Sequence, residues 1–248
     1  MILPILYLHT LLDFIMIKKI PFEQLGHANH GWLNARHHFS FANYYNPERM
    51  PFGALRVIND DIIKAGGGFD THPHQDMEII TYVRKGAITH RDSRGNTGRT
   101  EAGDVQVMSA GTGIFHSEFN LESEDTNLYQ IWIEPNRKGV EPRWDARTFP
   151  TEESVDGLKL LVSGDGRAPL QIHQDATIHA GRINAGNELE HAIKHQAYLL
   201  VSKGEIKLDG HSLKQGDGAE IRNLDSIKLS AETDADVLII DVPQHARH

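Results

Sequence analysis

Short apolar runs separated by turn residues dominate the hydrophobic pattern of the chain, and helical periodicity is scarce. Such runs, rich in branched side chains and bounded by Gly, Asn and Asp, are typical of β-strands. They lie at 54–58, 78–83, 105–108, 128–133, 158–162, 198–201, 206–208 and 237–242. Many short strands at this spacing predict an all-β protein built as a sandwich or barrel of antiparallel sheets.

This pattern occurs twice along the chain. Residues 83–88 read Val-Arg-Lys-Gly-Ala-Ile and residues 201–206 read Val-Ser-Lys-Gly-Glu-Ile, and a Gly-Asp turn follows each of them. Self-similarity of this kind indicates an internal duplication, and therefore two similar domains in tandem. We predict a first domain at 16–140 and a second at 151–248. The polar, proline-bearing stretch 141–150 is expected to link them.

Composition narrows the classes of function. The chain has 248 residues, a formal net charge of -9 and no cysteine. An acidic chain lacks the broad positive field that nucleic-acid backbones require, so direct nucleic-acid binding is not expected. Without cysteine there is no disulfide or thiolate site, which fits a reducing compartment, and we expect a cytoplasmic protein. No apolar run reaches the roughly 18 residues of a membrane span, so no membrane association is predicted.

The first fifteen residues stand apart from the rest of the chain. They are rich in Leu and Ile but contain His9 and Asp13, and they lack a basic leading segment and a small-residue cleavage site. Met16 then begins a segment that resembles a fresh amino terminus. We interpret residues 1–15 as an upstream extension that is not native.

Two short clusters carry the candidate chemistry. The first is His72-Pro73-His74 with Glu78 after it, and the second is His116-Ser117-Glu118. Because successive side chains of a strand point to opposite faces, we expect His72, His74 and Glu78 to share one face, and His116 and Glu118 another. If the two strands lie on facing walls of a small barrel, their imidazoles and carboxylates form a site for a divalent transition metal.

The clusters also carry a family resemblance. Gly66, the His-Pro-His segment and Glu78 resemble the first cupin motif, and the stretch from Gly103 to Asn120 resembles the second. More narrowly, several segments are similar to the bacterial pirin-like proteins, and the similarity runs from about Met16 to Pro243. These segments are 26–33, 39–42, 55–61, 71–74, 108–113 and 116–118.

The resemblance implies a bicupin, with two antiparallel jelly-roll β-barrels in tandem. It implies one metal in the first barrel, held at the positions of His72, His74, His116 and Glu118, and a second barrel without metal. Fe(II) is the expected ion, while Zn, Mn, Co, Ni and Cu suit the same ligands. Bacterial members are described as quercetin 2,3-dioxygenases, which implies a flavonol and O2 as substrates and ring opening with release of carbon monoxide.

Several assignments stay open on the sequence alone. Glu118 is expected to act as ligand and catalytic group, and Glu78 as a general base or as a hydrogen-bonding neighbour of the ligands, although these two roles could be exchanged. A metal-binding regulatory or sensor protein that acts through protein partners is the alternative to an enzyme. Other residues are interpreted as structural: a turn closed by Asp60-Asp61, and structural or pocket-rim positions for His27, His30, His37 and His38.

Overall fold

The computed structural model describes residues 16–149 and 157–244. Over these residues the chain is almost entirely β-structure, as the alternation of apolar runs and turns predicts. The only helical segment among them is a 3-10 turn at Phe22–Gln24. The proposed extension at 1–15 lies outside the described residues. In the part of the chain that is described, no helix is long and apolar enough to cross a bilayer.

Strands β2 to β12, all from the first half, form one pair of sheets, whereas β1 joins a sheet of the second half. These strands are β1 (Ile17–Ile20), β2 (Gly26–Asn29), β3 (Leu33–His37), β4 (Leu55–Ile63), β5 (Gly68–His74), β6 (Glu78–Lys85), β7 (Ala87–Asp92), β8 (Thr97–Glu101), β9 (Asp104–Ser109), β10 (Ile114–Phe119), β11 (Thr126–Ile133) and β12 (Arg143–Thr148). A seven-stranded sheet has the order β12-β9-β6-β11-β4-β3-β2, and a four-stranded sheet has the order β5-β10-β7-β8.

The second half repeats this arrangement. Its strands are β13 (Lys159–Ser163), β14 (Leu170–Gln171), β15 (Thr177–Ile183), β16 (Glu188–Ala192), β17 (Gln196–Lys203), β18 (Glu205–Leu208), β19 (His211–Lys214), β20 (Gly218–Ile221), β21 (Ser226–Ala231) and β22 (Ala235–Val242). They form a seven-stranded sheet, β1-β20-β17-β22-β15-β13-β14, and a four-stranded sheet, β16-β21-β18-β19. The matching strand orders show the duplication that the sequence indicates.

Each seven-stranded sheet is buried on both faces. On β11, Leu128 packs inward with Ile88 of the four-stranded sheet, while Tyr129 and Ile131 point the other way. The outward residues join a core that also contains Leu200 and other side chains of the second half. This core between the two large sheets holds the halves together. It explains why β4, β6, β11 and their counterparts are nearly continuous apolar runs rather than alternating ones.

The boundary between the halves differs from the prediction. Strand β1 pairs antiparallel with β20 of the second half, with Ile17 opposite Ile221, so the segment 16–140 is not a self-contained first domain. Residues 143–148 form β12 and pair with β9, so most of the expected linker 141–150 belongs to the first seven-stranded sheet. Strand β1 covers the edge of β20, and β12 covers the edge of the equivalent strand β9. In each case the added strand pairs backbone groups that would otherwise be unpaired.

The pair Asp60-Asp61 does not close a turn, and that prediction was wrong. Both residues lie inside β4, which pairs with β11 on one side and β3 on the other. Their carboxylates are tolerated in a central strand because they point to opposite faces. Asp60 points outward and forms an ion pair with Arg84, whose guanidinium also stacks over the Tyr129 ring at 4.0 Å.

The core between the large sheets can be tested at Ile131, which is fully buried. We expect Ile131→Ala to lower the free energy of unfolding by about 2–5 kcal/mol, because the lost contacts leave a cavity. Urea unfolding of the variant measures this. Lys138→Ala, at an exposed loop position, is the control and should change stability by less than about 0.5 kcal/mol. Equal stability of the Ile131 variant and the wild type would contradict the assigned core.

Candidate metal centre

The two histidine clusters lie on neighbouring strands of one sheet. Strand β10 pairs antiparallel with β5, which places His116 directly opposite His72, and Ile114 opposite His74. The two clusters therefore lie side by side on one sheet, not on facing walls. Directly opposite residues of antiparallel strands have Cβ atoms about 4.5–5.5 Å apart, so this register alone brings the two imidazoles together.

Three imidazoles converge at this point. Ligand nitrogens of His72, His74 and His116 lie within 4.8 Å of one another. The ring centroids are 4.9 Å apart for His72 and His74, 4.5 Å for His72 and His116, and 5.0 Å for His74 and His116. The ring of Trp132 packs edge-on against His74 at 4.9 Å and limits its movement. Three nitrogens on a common centre are a suitable partial ligand set for a divalent transition metal.

The hydrogen bonds leave lone pairs directed at this centre. His72 Nδ1 donates to the carbonyl oxygen of Asp70 at 2.7 Å, so in the neutral ring Nε2 carries the lone pair. Burial lowers the pKa of His74 to about 4 and that of His116 to about 3, so both rings are neutral at neutral pH. His116 Nε2 is buried without a hydrogen-bond partner among the described residues. An orphaned neutral nitrogen beside two others fits a metal ion.

His90 orients His116 from behind. His90 Nε2 donates to Asp92 Oδ2 at 2.8 Å, and His90 Nδ1 lies 3.4 Å from His116 Nδ1. In a neutral His90 ring, Nδ1 is then an acceptor for the N–H at His116 Nδ1. This leaves the lone pair of His116 on Nε2. Trp144 stacks on the other side of His90 with the two rings 5.1 Å apart, which holds the ring in place.

Glu118 adjoins the three histidines but forms a second group. One carboxylate oxygen of Glu118 lies within 4.8 Å of ligand nitrogens of His116 and His90. Amide groups hold this carboxylate: Gln106 donates to Oε1 and Gln130 to Oε2, the latter at 2.9 Å. Thr81 Oγ1 also donates to Oε1, at 3.3 Å. A carboxylate has about four lone pairs, so these three hydrogen bonds leave capacity for a metal. His116 therefore lies between the histidine group and the carboxylate.

Glu78 does not share a face with His72 and His74, so this expectation was wrong. The strand breaks after His74, at the left-handed Asp76 (φ 46), and Glu78 begins β6 in the other sheet. Its side chain points to the outward face of that sheet, where Ser109 Oγ donates to Glu78 Oε2 at 2.7 Å. Glu78 does not line the cavity that contains the histidines. Its position therefore gives no support to a general-base role there.

A cavity of about 780 Å³ opens above the histidines. Its walls include Trp32, Phe41, Phe69 and Trp132, and Glu118 lies among its lining residues. Other lining residues are three further histidines of the first half and two polar residues of β4. They are His27, His30, His37, Asn59 and Asp61. His38 is not among them, because it is buried in the other direction against the Tyr198 hydroxyl at 2.9 Å.

Sequence reasoning missed the groups that support the ligands. His90 and Asp92 occupy alternate positions on β7, which was a usable signal because side chains two apart in a strand share a face. Gln106 and Gln130 gave no such signal. Each is a single amide within an apolar strand, and only the packing of β9 and β11 behind Glu118 shows what they do.

Metal content of single variants tests the ligand assignment. We expect His72→Ala and Glu118→Gln to weaken binding of a divalent metal by at least about tenfold, because each removes a ligand atom. Glu78→Gln is the control and should retain the metal, since Glu78 faces away. Elemental analysis after dialysis measures the outcome. Loss of metal at Glu78 alone would overturn the assignment of Glu118.

The raised pKa of Glu78 predicts that the stability of the protein depends on pH. Burial raises the pKa of Glu78 to about 7 from its usual 4.5, against the opposing effects of the Ser109 hydrogen bond and the nearby Arg143. The folded protein thus binds the proton more tightly than the unfolded chain. The stabilisation is complete below about pH 4.5 and is lost as the pH rises through about 7, by up to about 3 kcal/mol.

Urea unfolding of wild type and Glu78→Gln across this pH range measures the effect. The wild type should lose stability relative to the variant between pH 4.5 and 7, because glutamine does not ionise. The two proteins share all other titrating groups, so the difference isolates Glu78. Parallel stability profiles would show that Glu78 has the same pKa in both states.

Two family models match the chain. Residues 19–133 match the pirin family model, and residues 160–242 match the model of the quercetinase C-terminal cupin domain. A pirin-like protein of Caulobacter vibrioides is 48% identical over 91% of the chain and 99% of that protein.

A sequence match and a solved structure, both from Escherichia coli, extend the comparison. Its quercetin 2,3-dioxygenase is 46% identical over 89% of the chain and 96% of that protein. The crystal structure of its pirin YhhW in complex with nickel(II) has a TM-score of 0.86 and 45% identity, and covers 92% of this chain and 99% of that one. Matches of this extent leave one assignment: the chain belongs to the pirin family of the cupin superfamily.

Proposed function

We propose that this protein is a metal-dependent oxygenase of the quercetin 2,3-dioxygenase type, which opens the ring of a flavonol with O2. The observation that carries the proposal is the convergence of three imidazoles at the wall of a cavity of about 780 Å³. Cavities of about 300–1,000 Å³ accommodate small-molecule ligands. The Escherichia coli relative named quercetin 2,3-dioxygenase supports the choice of substrate. In this proposal each half is a jelly-roll barrel of the cupin type.

His72, His74, His116 and Glu118 would hold one divalent metal. We propose Fe(II) as the ion, and the nickel(II) complex of the relative YhhW supports a site that also accepts other first-row metals. Bound in this way, the metal would supply Lewis acidity, which lowers the pKa of a coordinated substrate hydroxyl and favours its deprotonated form. Four protein ligands leave one or two positions open for substrate.

The residues around the ligands would position the substrate and exclude water. Trp132 and Phe41 form an aromatic wall on the side of the cavity nearest to His74, and Phe69 packs beside His72. Flat polycyclic substrates pack well against such rings, in offset or edge-to-face contact. Gln106 and Gln130 would hold the Glu118 carboxylate beside His116. Asp61 and Asn59 line the same cavity and offer polar contacts to substrate hydroxyls.

Oxygen uptake tests the proposed activity. We expect metal-loaded protein to consume O2 in the presence of quercetin, and His72→Ala to abolish this consumption because the metal is lost. His27→Ala is the matched control, since His27 lies on the cavity rim and outside both groups of metal-ligating residues. It should keep its metal and at least about a third of the rate, since no ligand is removed.

An opposite result favours the second candidate function. If metal-loaded protein turns over no flavonol, the dioxygenase proposal fails. A regulatory or sensor protein that uses the same metal and acts through protein partners then becomes the better explanation. Phe115 is 54% exposed and is adjacent to His116. It gives that alternative a surface residue, next to a candidate ligand, that a protein partner could contact.

A further inference from the structure

A second cavity lies between the two halves, away from the metal centre. It has a volume of about 430 Å³ and forms where the ends of β6 and β17 approach each other. These ends carry the duplicated Lys-Gly turns, so Lys85 of the first half and Lys203 of the second line the same cleft. The seven-stranded sheet separates this cleft from the metal cavity. Asp61 of β4 lines the metal cavity, while Asp60 faces the other way.

The cleft concentrates positive charge in an acidic protein. Five cationic side chains and one carboxylate are found among the described residues that line it, although the whole chain has a net charge of -9. The cations are Arg84, Lys85, Lys159, Arg182 and Lys203. Charges that line a cleft with low-dielectric walls attract counter-ions more strongly than the same charges on an open surface. The net positive charge of the residues that line this cleft therefore favours the binding of anions.

Existing ion pairs neutralise only part of the cleft. Arg84 is paired with Asp60, which lies beside the cleft. Arg182 forms a bidentate pair with Asp236, at 2.8 and 3.2 Å, and this is the carboxylate within the cleft. Lys85 lies 3.7 Å from Glu124 on the exposed side, a distance at which an ion pair contributes little. Lys203 forms no ion pair with any described residue, and its side chain is exposed. Positive charge is thus left over at Lys85 of the first half and Lys203 of the second, one on each side of the cleft.

One wall of the cleft is apolar. Tyr82, Phe149, Leu161 and Ala180 line it, and the guanidinium of Arg84 is fixed beside them over the ring of Tyr129. Arg84 is largely buried, and its Nε has no hydrogen-bond partner among the described residues. This nitrogen is shielded from solvent, so a ligand in the cleft would meet the apolar side chains and the exposed Lys85 and Lys203 instead. The cleft therefore suits a ligand with an anionic head and a compact apolar body.

We propose that this cleft is a binding site for a small organic phosphate monoester with an aromatic body. A phosphate carries about two negative charges and three acceptor oxygens at neutral pH, which matches cations that arrive from two sides. The apolar wall would take the aromatic body. The site is independent of the proposed oxygenase activity, because the ligands of the metal centre lie on the other side of the sheet.

Calorimetric titration of the full-length, metal-loaded protein with phenyl phosphate tests the proposal. We expect saturable binding of one molecule per chain with a Kd of about 1 mM or below at low ionic strength. Lys203→Glu should weaken this binding by at least about tenfold, because it reverses a charge at the mouth of the cleft. Lys138→Glu makes the same change in net charge at an exposed loop outside the cleft. It should change the affinity by less than about twofold.

Other ligands define what the cleft recognises. Inorganic phosphate should bind more weakly than phenyl phosphate, since it cannot use the apolar wall, and benzoate should bind more weakly because it has a single charge. Absence of saturable phenyl phosphate binding would overturn the proposal. So would equal weakening by Lys203→Glu and Lys138→Glu, which would indicate only general charge attraction, and so would benzoate binding as tightly as phenyl phosphate. Circular dichroism of both variants confirms that they are folded.

Discussion

The register between β5 and β10 is the constraint on which the candidate metal centre depends. Antiparallel pairing sets His116 opposite His72, and the alternation of side chains adds His74 on the same face. A shift of one residue would turn one strand's side chains to the other face of the sheet and disperse the three imidazoles. The irregularity between His116 and Glu118 then allows the carboxylate to reach towards Gln106 and Gln130.

The two faces of the first seven-stranded sheet contact different parts of the protein. Its inward face supplies Thr81, Gln106 and Gln130 around Glu118, and Trp132 against His74. Its outward face packs against the second half through residues such as Ile80 and Ile131. Ionisable side chains occur on both faces. Their facing direction, rather than their residue type, decides whether they belong to the metal cavity or to the interface between the halves.

Duplication explains why the interface has chemistry of its own. Both halves present the outward face of a seven-stranded sheet, and the apolar residues of these faces merge into the largest core cluster. At the ends of equivalent strands the apolar contact gives way to lysine and arginine side chains from both halves. The strand exchange of β1, which pairs with the second half, ties the chain across the same boundary. The second half therefore contributes to the stability of the first and also forms part of the cleft between them.

The sequence alone determined the all-β class, the duplication and the residues of the histidine clusters. These follow from local patterns: apolar alternation, repeated Lys-Gly turns, and ligand side chains at alternate positions. The tertiary structure decided what depends on contacts between distant segments. Pairing placed β5 beside β10 rather than across a barrel, and turned Glu78 away. Packing brought His90, Gln106 and Gln130 behind the ligands. Strand partners and facing directions are set by long-range burial, which no local window of sequence contains.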